Sequence, residues 1–449
     1  MTVSRAAFAA VIACATFAVY FGALDAAFQF DDFAVIAGNP DVHSWQAWSA
    51  SMPGIRPLLK ASYVWNWSDA AHPFAFHLFN AVVHALNAAL VFCLVEELLS
   101  CGMAPDARRA ALIAALLFAV HPVNTESVTY ISGRSNALMA FFYLSSLLVY
   151  MRGRLSGSPA WSRWISALLF VAAAGVKETA LTLPVALLLW ECTLAPQRLT
   201  LKEAFGKTSL HWFALFGLLL AMLSLPRYGE LLHASLAARS PLDNLPVQAN
   251  AICYLLGQLV LPWRVNIDPD LPVLREWHAL ALVQASGLCI AIVAALRMKR
   301  RTPLMSFAVL WFFVHLLPTN SLLPRLDAAN DRELYLPAIG AFLLCGVWLA
   351  RLRRRGVAHA VALIIVAGLA FATVARNRDY LGETALWEDT VAKSPRKARA
   401  WNNLGQAYAL DGRKEEAKRA FDTALALQPD YDKAQANRRM AGEEDDGSS

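Results

Sequence analysis

The chain has 449 residues, of which 57% are hydrophobic and 16% are charged, whereas a soluble domain has roughly 45–50% apolar and about 25% charged residues. This composition excludes disordered and fibrous proteins and argues against a soluble multidomain enzyme. The formal net charge is +6, but the basic residues cluster in alternate segments between apolar stretches, which is typical of membrane topology and not of nucleic-acid binding. We expect a membrane protein with no nucleic-acid partner.

Apolar stretches recur along most of the chain, and a helix needs ~20 apolar residues to span a bilayer. We interpret eleven stretches as spans, at residues 6–24, 76–99, 110–121, 136–151, 162–176, 179–195, 209–225, 279–296, 304–317, 334–350 and 357–375. A twelfth, 249–262, is broken by Gly257 and Pro262, and we interpret it as re-entrant or interfacial. Residues 6–24 also resemble a signal peptide, but ~19 apolar residues exceed a typical h-region, so we favour an uncleaved first span.

The distribution of charge predicts the orientation of these spans. Basic clusters near residues 108, 152, 198, 297 and 351 fall on one side, and acidic residues dominate the opposite loops. The positive-inside rule therefore predicts a cytoplasmic N-terminus and a C-terminus outside. Two outer loops, 25–75 and 226–278, are long, which is typical of loops that carry function. The predicted fold class is all-α, with residues 1–375 forming a polytopic helical bundle in a bacterial inner membrane.

The composition becomes polar after residue 376, and a repeat follows. Its positions match the tetratricopeptide (TPR) pattern over residues 398–431, at Trp401, Leu404, Gly405, Tyr408, Ala417, Phe421, Ala424 and Pro429. We expect a periplasmic TPR region at residues 377–440 and a disordered acidic tail at 441–449. One and a half repeats are fewer than the ~3 needed for independent stability, so this region should lean on the outer loops, a partner or a second copy, and dock other molecules.

An acidic pair, Asp31 and Asp32, directly follows the first span. It is either a solvated loop marker or the source of a catalytic base. Phe28, Phe30 and Phe33 surround the pair, and apolar neighbours raise the pKa of a carboxyl group towards the range of a useful base. Adjacent carboxylates can also hold a divalent metal, but the sequence shows no third ligand, so we expect none.

Polar residues in the second stretch share one helical face. His77, Asn80, His84 and Asn87 are spaced by 3, 4 and 3 residues. Such residues usually face the bundle interior or an aqueous cavity. We expect Asn87 to bond between helices and His77, nearest the outer surface, to line a site.

Further charged residues occur where the predicted outer turns lie. Residues 121–136 contain Glu126, Tyr130 and Arg134, and Arg134 either snorkels to lipid headgroups or binds a ligand phosphate. Lys177 and Glu178 occupy a tight turn, where they are either exposed or neutralise each other. A third group lies before the tenth span and comprises Asp331, Arg332, Glu333 and Tyr335.

Acids and cations at one membrane face suit one chemistry, the transfer of a group from a membrane-bound phosphate ester. A sugar on a polyprenyl phosphate already has a good leaving group. The reaction then needs a base for the acceptor hydroxyl and positive groups where charge develops on the departing phosphate.

Several segments together resemble one family. FDDF, RPLLKASYVWNW, HPFAFHLFNAVVHALNA, HPVNTESVTYISGRSNAL, KETALTLPVALLLWE and DRELYLPAIG, in this order and with a trailing TPR, look like the transmembrane-and-TPR O-mannosyltransferases and their bacterial relatives. These belong to the GT-C glycosyltransferase superfamily. The resemblance covers residues 25 to about 431. It implies about eleven spans, an outward-facing active site, a polyprenyl-phosphate sugar donor, and inversion at the anomeric carbon.

The resemblance also implies roles for individual residues. The base comes from Asp31 or Asp32, with a preference for Asp32, and the donor phosphate is bound by Arg134, Lys177 and Arg332. The remaining site lining is assigned to Arg56, His77, Glu126, Glu178 and Tyr335. A protein or glycan acceptor would dock through the TPR at 398–431, and no cofactor is expected besides the lipid-linked donor. The chain departs from the family pattern at Asp331, where Glu is usual, and at Asn124, where His is common.

Two other interpretations remain open at this stage. O-antigen ligases or polymerases also use polyprenyl-linked sugars, but they rely on a large late loop with Arg and His, whereas here the acids lie in the first loop. A non-enzymatic membrane scaffold that presents a TPR would tolerate loss of both aspartates. A transporter is disfavoured by the asymmetric loops and the lack of a clear internal repeat in the sequence.

Overall fold

The computed structural model describes residues 4–67, 72–100, 106–157, 160–274 and 276–446. These residues form helices and connecting turns with no strand among them, which confirms the all-α prediction. The first nine α-helices are α1 (Arg5–Tyr20), α2 (Trp45–Ala50), α3 (Pro57–Asn66), α4 (Pro73–Leu99), α5 (Ala107–Val120), α6 (Thr125–Val128), α7 (Arg134–Leu155), α8 (Trp161–Val176) and α9 (Leu183–Thr193).

The later part of the bundle and the C-terminal region follow. The next eight helices are α10 (Leu201–Lys207), α11 (Ser209–Leu223), α12 (Pro226–Ala238), α13 (Pro241–Val260), α14 (Ala279–Met298), α15 (Pro303–Leu316), α16 (Ala338–Ala350) and α17 (Arg355–Asp379). The C-terminal helices are α18 (Glu383–Lys393), α19 (Ala398–Leu410), α20 (Lys414–Leu427) and α21 (Asp432–Asp446). Five helices, α3, α4, α12, α13 and α15, begin with proline, which suits the first helical position because its missing N–H would be unpaired there.

The centre of the bundle is built from α4, α5, α7 and α16. Small residues let α5 and α16 approach closely: a Cβ at Gly346 would clash with the carbonyl oxygen of Ala110, and Ala114 also lies against this glycine. Small residues serve the same purpose at helix contacts within membranes. The face of α4 that carries His77, Asn80, His84 and Asn87 is buried in this core.

The helices differ in their capacity to span a bilayer. Among the residues that the structure describes, Arg5–Ala23, α4, α14 and α17 are long and apolar enough to cross, and two bent pairs raise the number to as many as six if each pair is one span. The bent pairs are α5 with Pro122–Val128, and α10 with α11. Helices α8, α15 and α16 are apolar but shorter. The predicted count of eleven spans therefore stays a prediction, and the stretch 249–262 forms the C-terminal part of α13 and the turn after it.

The C-terminal helices dock on the loop of residues 262–274. Asp268 accepts hydrogen bonds from both Nε and Nη2 of Arg399, at 2.8 and 2.6 Å, and pairs with Lys397 at 3.1 Å. Nδ2 of Asn266 donates to Oγ of Ser394 at 2.7 Å. Ile267 packs in a cluster with Trp387. The short repeat thus packs against a predicted outer loop. Of the three stabilising contacts expected for it, namely the outer loops, a partner or a second copy, the structure shows the first.

Within the repeat, a glycine of α19 lets this helix pack closely against α20. A Cβ at Gly405 would lie 2.5 Å from the ring of Phe421, so this position accepts only glycine without repacking. The last helix, α21, lies against α19 and α20 and continues to Asp446, whereas the sequence predicted disorder from residue 441; residues 447–449 lie outside the described part.

Candidate active site

Asp32 is the buried member of the acidic pair. Its Oδ1 accepts hydrogen bonds from the backbone N and Oγ of Ser132, at 2.8 and 2.5 Å, and its Oδ2 accepts one from the backbone N of Gln29 at 3.1 Å. Burial raises the pKa of this carboxyl group to about 7, against the hydrogen bonds from Ser132 and Gln29. Asp32 therefore ties the loop after α1 to the segment before α7.

Phe30 gives the loop an unusual backbone conformation. Its φ is +48°, a left-handed value that costs energy for a residue with a Cβ. The C-terminal helices hold it there: the backbone N of Phe30 donates to Oε1 of Glu383 at 2.7 Å, and its ring meets that of Trp387 edge-on at 5.3 Å. Nε2 of Gln29 donates to the carbonyl oxygen of Tyr380. Helix α18 and the residues just before it thus fix the direction in which Asp31 points.

Asp31 lines a cavity of about 980 Å³ between this loop and the C-terminal helices. It is partly exposed, and its backbone N lies 3.1 Å from the hydroxyl oxygen of Tyr130. Other lining residues include Phe30, Glu383, Trp387, Asn402, Asn403 and Asn437. Of the acidic pair, Asp31 is the member that an acceptor in the cavity can reach.

A cluster of cations surrounds Glu333. Its Oε1 accepts hydrogen bonds from Nζ of Lys177 at 3.1 Å and from Nη1 of Arg325 at 3.3 Å. Burial alone would raise the pKa of Glu333, but the neighbouring cations Lys177, Arg325 and Arg332 lower it to about 2. Burial lowers the pKa of Lys177 to about 8, although Glu333 opposes the shift. Nζ of Lys177 also donates to Oδ1 of Asn136 at 2.6 Å.

Arg56 and Glu178 form a bidentate pair beside this cluster. Nε and Nη2 of Arg56 donate to Oε1 and Oε2 of Glu178 at 3.0 and 2.8 Å. The hydroxyl of Tyr228 also donates to Oε1 of Glu178, at 2.9 Å. Glu178 thus pairs with Arg56 from the first loop and not with its sequence neighbour Lys177. Predicted lining residues that lie 122 positions apart are in direct contact.

Arg332 contacts Glu126 and interacts electrostatically with both Glu333 and Asp31. Its backbone N donates to Oε2 of Glu126 at 2.9 Å, and its Nε lies 3.6 Å from Oε1 of the same carboxylate. Burial alone would lower the pKa of Arg332, but Glu126, together with Tyr130, Glu333 and Asp31, raises it above its usual value. The side chain of Arg332 keeps 22% of its surface exposed. One guanidinium is therefore within electrostatic reach of Asp31, on a side chain that solvent reaches.

Arg134 is buried and holds the bundle together. Its Nε donates to Oδ1 of Asn80 at 2.6 Å, and its Nη1 and Nη2 donate to the carbonyl oxygens of Ser62 and Phe76 at 2.9 and 3.0 Å. The guanidinium also lies 4.3 Å from the ring centre of Phe79, and the residue has no exposed surface. In this arrangement it neither snorkels nor faces the cavity. Its predicted contact with a phosphate would require these bonds to break.

Two predicted lining residues also lie inside the bundle. Nε2 of His77 forms a 3.0 Å hydrogen bond with the carbonyl oxygen of Ala26, which joins α4 to the chain just before the acidic pair. The hydroxyl of Tyr335 bonds Nδ1 of His84 at 2.7 Å and accepts from Asn87 at 3.0 Å. Both side chains therefore bond to other parts of the bundle, and neither lines the cavity that Asp31 lines.

Several residues of this region carried no signal in the sequence. Ser132 anchors Asp32, Glu383 anchors Phe30, and Arg325 shares Glu333 with Lys177. Beside Ser132 the chain turns tightly, since a Cβ at Gly133 would clash with the carbonyl oxygen of Glu126; this glycine is the sequence feature that could have indicated the turn.

The described residues contain no group of three or more His, Cys, Asp and Glu side chains arranged to hold a metal ion. The expectation that the chain works without a metal stays a prediction.

Comparison with known proteins gives two findings. Residues 398–431 match the tetratricopeptide repeat family. Over 92% of its length, the chain is 25% identical to the mouse protein O-mannosyl-transferase TMTC3, of which the match covers 50%. It is also 25% identical to Drosophila melanogaster Tmtc3, over 93% of the chain and 55% of that protein, and 25% identical to mouse TMTC4, over 88% and 63%.

The chain resembles the protein O-mannosyl-transferases over nearly its whole length. It spans about half the length of the TMTC3 relatives that it matches.

Proposed function

We propose that this chain is an inverting GT-C glycosyltransferase that moves a sugar from a polyprenyl-phosphate donor to a hydroxyl group of a protein acceptor, on the periplasmic face of a bacterial inner membrane. One observation carries the proposal: Asp31 lines an open cavity and lies within electrostatic reach of the guanidinium of Arg332. The names of the relatives describe transfer of mannose to protein, which makes mannose the first sugar to test and a protein the first acceptor.

In this mechanism Asp31 is the base. As the acceptor oxygen attacks the anomeric carbon, the Asp31 carboxylate takes the hydroxyl proton, and the bond between the anomeric carbon and the phosphate oxygen breaks with its electron pair leaving on the phosphate. One displacement inverts the anomeric configuration. The departing phosphate needs no protonation by a strong acid, so a single base is sufficient for the proton that the acceptor loses.

Asp32 is a positioning residue in this scheme. Its oxygens accept three hydrogen bonds from Ser132 and Gln29. The residue is buried and does not line the cavity, so an acceptor in the cavity does not reach it. The structure thereby shifts the preference within the pair from Asp32, favoured on resemblance, to Asp31. By fixing the loop through its bonds to Ser132 and Gln29, Asp32 holds Asp31 at the wall of the cavity.

The cations would neutralise the leaving phosphate. Arg332 is the first candidate, because it is partly exposed and within electrostatic reach of Asp31. Three further candidates are Lys177, Arg325 and Arg56. Their carboxylate partners, Glu333 for the first two and Glu178 for the third, keep them oriented before the donor binds. Charges that are already oriented cost no reorganisation energy when negative charge develops on the phosphate, so they stabilise the transition state more effectively.

The test is sugar transfer by purified protein in mild detergent, with polyprenyl-phosphate mannose and a Ser/Thr-rich protein acceptor. Asp31→Asn should reduce turnover by about 10²–10⁴-fold, the usual contribution of a general base. Asp41→Asn is the matched control, since Asp41 lies in the same loop and pairs with Lys60 at the surface. Wild-type turnover in Asp31→Asn would exclude Asp31 as the base, whereas no turnover in the wild type itself would favour a scaffold.

A second measurement addresses the donor. Mass spectrometry of co-purified lipids should show a polyprenyl phosphate or phosphosugar in the wild type, and less of it in Arg332→Ala. Ordinary phospholipids alone in both samples, together with no turnover, would contradict the donor assignment.

A further inference from the structure

A small cavity beside the cation cluster is lined by three polar side chains, each with a buried atom that has no hydrogen-bond partner among the described residues. The three atoms are Nδ2 of Asn136, Oγ1 of Thr179 and Nε2 of His315. Asn136 and His315 are only 3% and 6% exposed. A buried polar atom without a partner is unfavourable, so three of them around one cavity indicate a binding site for a polar group.

The hydrogen bonds that these side chains already make determine what each free atom offers. Nδ1 of His315 lies 2.7 Å from the carbonyl oxygen of Trp311. Because a carbonyl oxygen only accepts, Nδ1 carries the proton and Nε2 presents a lone pair. Oδ1 of Asn136 accepts from Nζ of Lys177 at 2.6 Å, which leaves Nδ2 of the same carboxamide as a free donor. The cavity therefore offers one acceptor, one donor and the hydroxyl of Thr179, which can act as either.

The cavity is formed where the ends of several helices meet. Asn136 lies in the first turn of α7, Thr179 between α8 and α9, and His315 in the last turn of α15. In the topology predicted from the charges, all three positions are at the outer face of the membrane. Two lining residues, Asn136 and Glu333, also accept hydrogen bonds from Lys177. The cavity thus adjoins a cation that the proposed mechanism assigns to the leaving phosphate.

The size and the lining of the cavity match one hydroxyl group. Its volume is about 10 Å³, and a single water-sized oxygen needs about 10–15 Å³. A hydroxyl group has one O–H and two lone pairs, so it can donate to Nε2 of His315 and accept from Asn136 and Thr179. All three free atoms are then paired, and so is every site of the hydroxyl, whereas a water molecule would have a second O–H to place. Apolar lining comes from Met139 and Leu336.

We infer that this cavity binds one hydroxyl group of the donor sugar, and that Asn136, Thr179 and His315 select the sugar by that hydroxyl. The inference rests on the proposed function and adds the residues that recognise the sugar. In a polyprenyl-phosphate donor the sugar is bonded directly to the phosphate, so a hydroxyl site next to a phosphate-binding cation is reached by the sugar. A sugar without this hydroxyl leaves three buried polar atoms unpaired, which is an effective basis for rejecting it.

The test is donor binding, measured without an acceptor so that it does not depend on turnover. Isothermal titration calorimetry would follow short-chain polyprenyl-phosphate mannose added to the full chain in detergent. The comparison ligands are derivatives of this donor, each of which lacks a different hydroxyl group of the sugar. We expect one derivative to bind the wild type about 10- to 100-fold more weakly than the complete donor, because its absent hydroxyl leaves the buried atoms unpaired.

Two variants each remove one partner of the hydroxyl. Thr179→Val keeps the shape of the side chain without its hydroxyl, and His315→Phe keeps a ring against Trp311 without Nε2. Both should bind the complete donor about ten-fold more weakly and should shrink the penalty of the derivative that lacks the bound hydroxyl. Thr423→Val is the matched control on α20, where Oγ1 donates to the carbonyl oxygen of Arg419 at 2.8 Å, and it should bind like the wild type. The melting temperature of each variant in detergent reports its folding.

The outcomes separate this inference from the proposed function. If the wild type binds every derivative as tightly as the complete donor, the inference is overturned, a water molecule alone occupies the cavity, and the transferase still stands. A penalty that is unchanged in both Thr179→Val and His315→Phe would also overturn it, because the hydroxyl would then bind elsewhere. Discrimination that depends on these residues, combined with no sugar transfer, would support the subsite and contradict the transferase. No binding of any polyprenyl-phosphate sugar would contradict both.

Discussion

The backbone N of Phe30 donates a 2.7 Å hydrogen bond to Oε1 of Glu383, a residue 353 positions further along the chain. The bond joins the loop that carries the acidic pair to the first helix of the C-terminal region. Because Phe30 has a left-handed backbone, it needs such a contact to hold a conformation that most residues avoid. The repeat region is therefore part of the candidate active site and not a separate module.

The first prediction follows from this bond. Glu383→Ala removes the acceptor and should lower sugar transfer by about 10- to 100-fold, because small errors in position are costly to catalysis. Glu383→Gln keeps an oxygen acceptor and should retain most of the activity. Glu388→Ala, on the same helix but bonded to Tyr408 at the surface, is the control. Equal activity of Glu383→Ala and wild type would show that the bond does not orient Asp31.

The second prediction concerns pH. Transfer should rise as pH increases through about 7, since Asp32 must be ionised to accept all three of its hydrogen bonds. It should fall above about 8, where Lys177 loses its proton; at pH 9 only about one-tenth of Lys177 would be charged.

Lys177→Arg tests the alkaline limb of that profile, because a guanidinium stays charged across this range. The falling limb should move to higher pH in this variant. Lys60→Arg, in the loop after α1 and paired with Asp41, should leave the profile unchanged. An alkaline limb that stays in place in Lys177→Arg would exclude Lys177 as its source.

The third prediction separates structure from donor binding at Arg134. Arg134→Ala leaves the buried oxygens of Asn80, Ser62 and Phe76 without their donor, and an unpaired buried polar group costs about 1–3 kcal/mol. We expect a lower melting temperature in detergent and a lower folded yield, and Arg134→Lys should not restore them because it lacks the planar fork. Unchanged stability with weaker donor binding would favour the phosphate role instead.

The fourth prediction concerns the contact between the repeat region and the loop of residues 262–274. Asp268→Asn weakens the contacts with Arg399 and Lys397, so residues near 394–397 should become accessible to limited proteolysis and transfer should fall. Asp270→Asn breaks only the pair with Arg396, whose side chain is 75% exposed, and such pairs contribute little. Identical digestion of the two variants would show that Asp268 does not hold the repeat in place.

Local patterns in the sequence were sufficient for the helices and for the repeat. Apolar runs predicted a helix in every stretch interpreted as a span, and spacing alone located the TPR at 398–431. Asp31 and Asp32 were predicted as site residues because they are isolated acids beside aromatic residues, and their role stays a prediction. Their different exposure was not predictable, because it depends on the turn made by Ser132 and on α18.

Contacts between distant residues account for what the sequence did not show. From sequence alone, a buried arginine cannot be told from one that binds a ligand, because its partners are unknown. In the structure, the guanidinium of Arg134 donates to Asn80 and to two backbone carbonyl oxygens. Glu178 could be paired with the adjacent Lys177 or with Arg56, and only the folded chain shows that it pairs with Arg56.

The separation between Phe30 and Glu383 also has a consequence for biosynthesis. At about 5–20 residues per second, a ribosome needs roughly 20–70 s to add the 353 positions that separate them. During that interval the acidic loop and its partner Ser132 are made, but the bond between Glu383 and the left-handed residue Phe30 is still missing. The sugar transfer proposed here should therefore begin only after the last helices have folded onto the bundle.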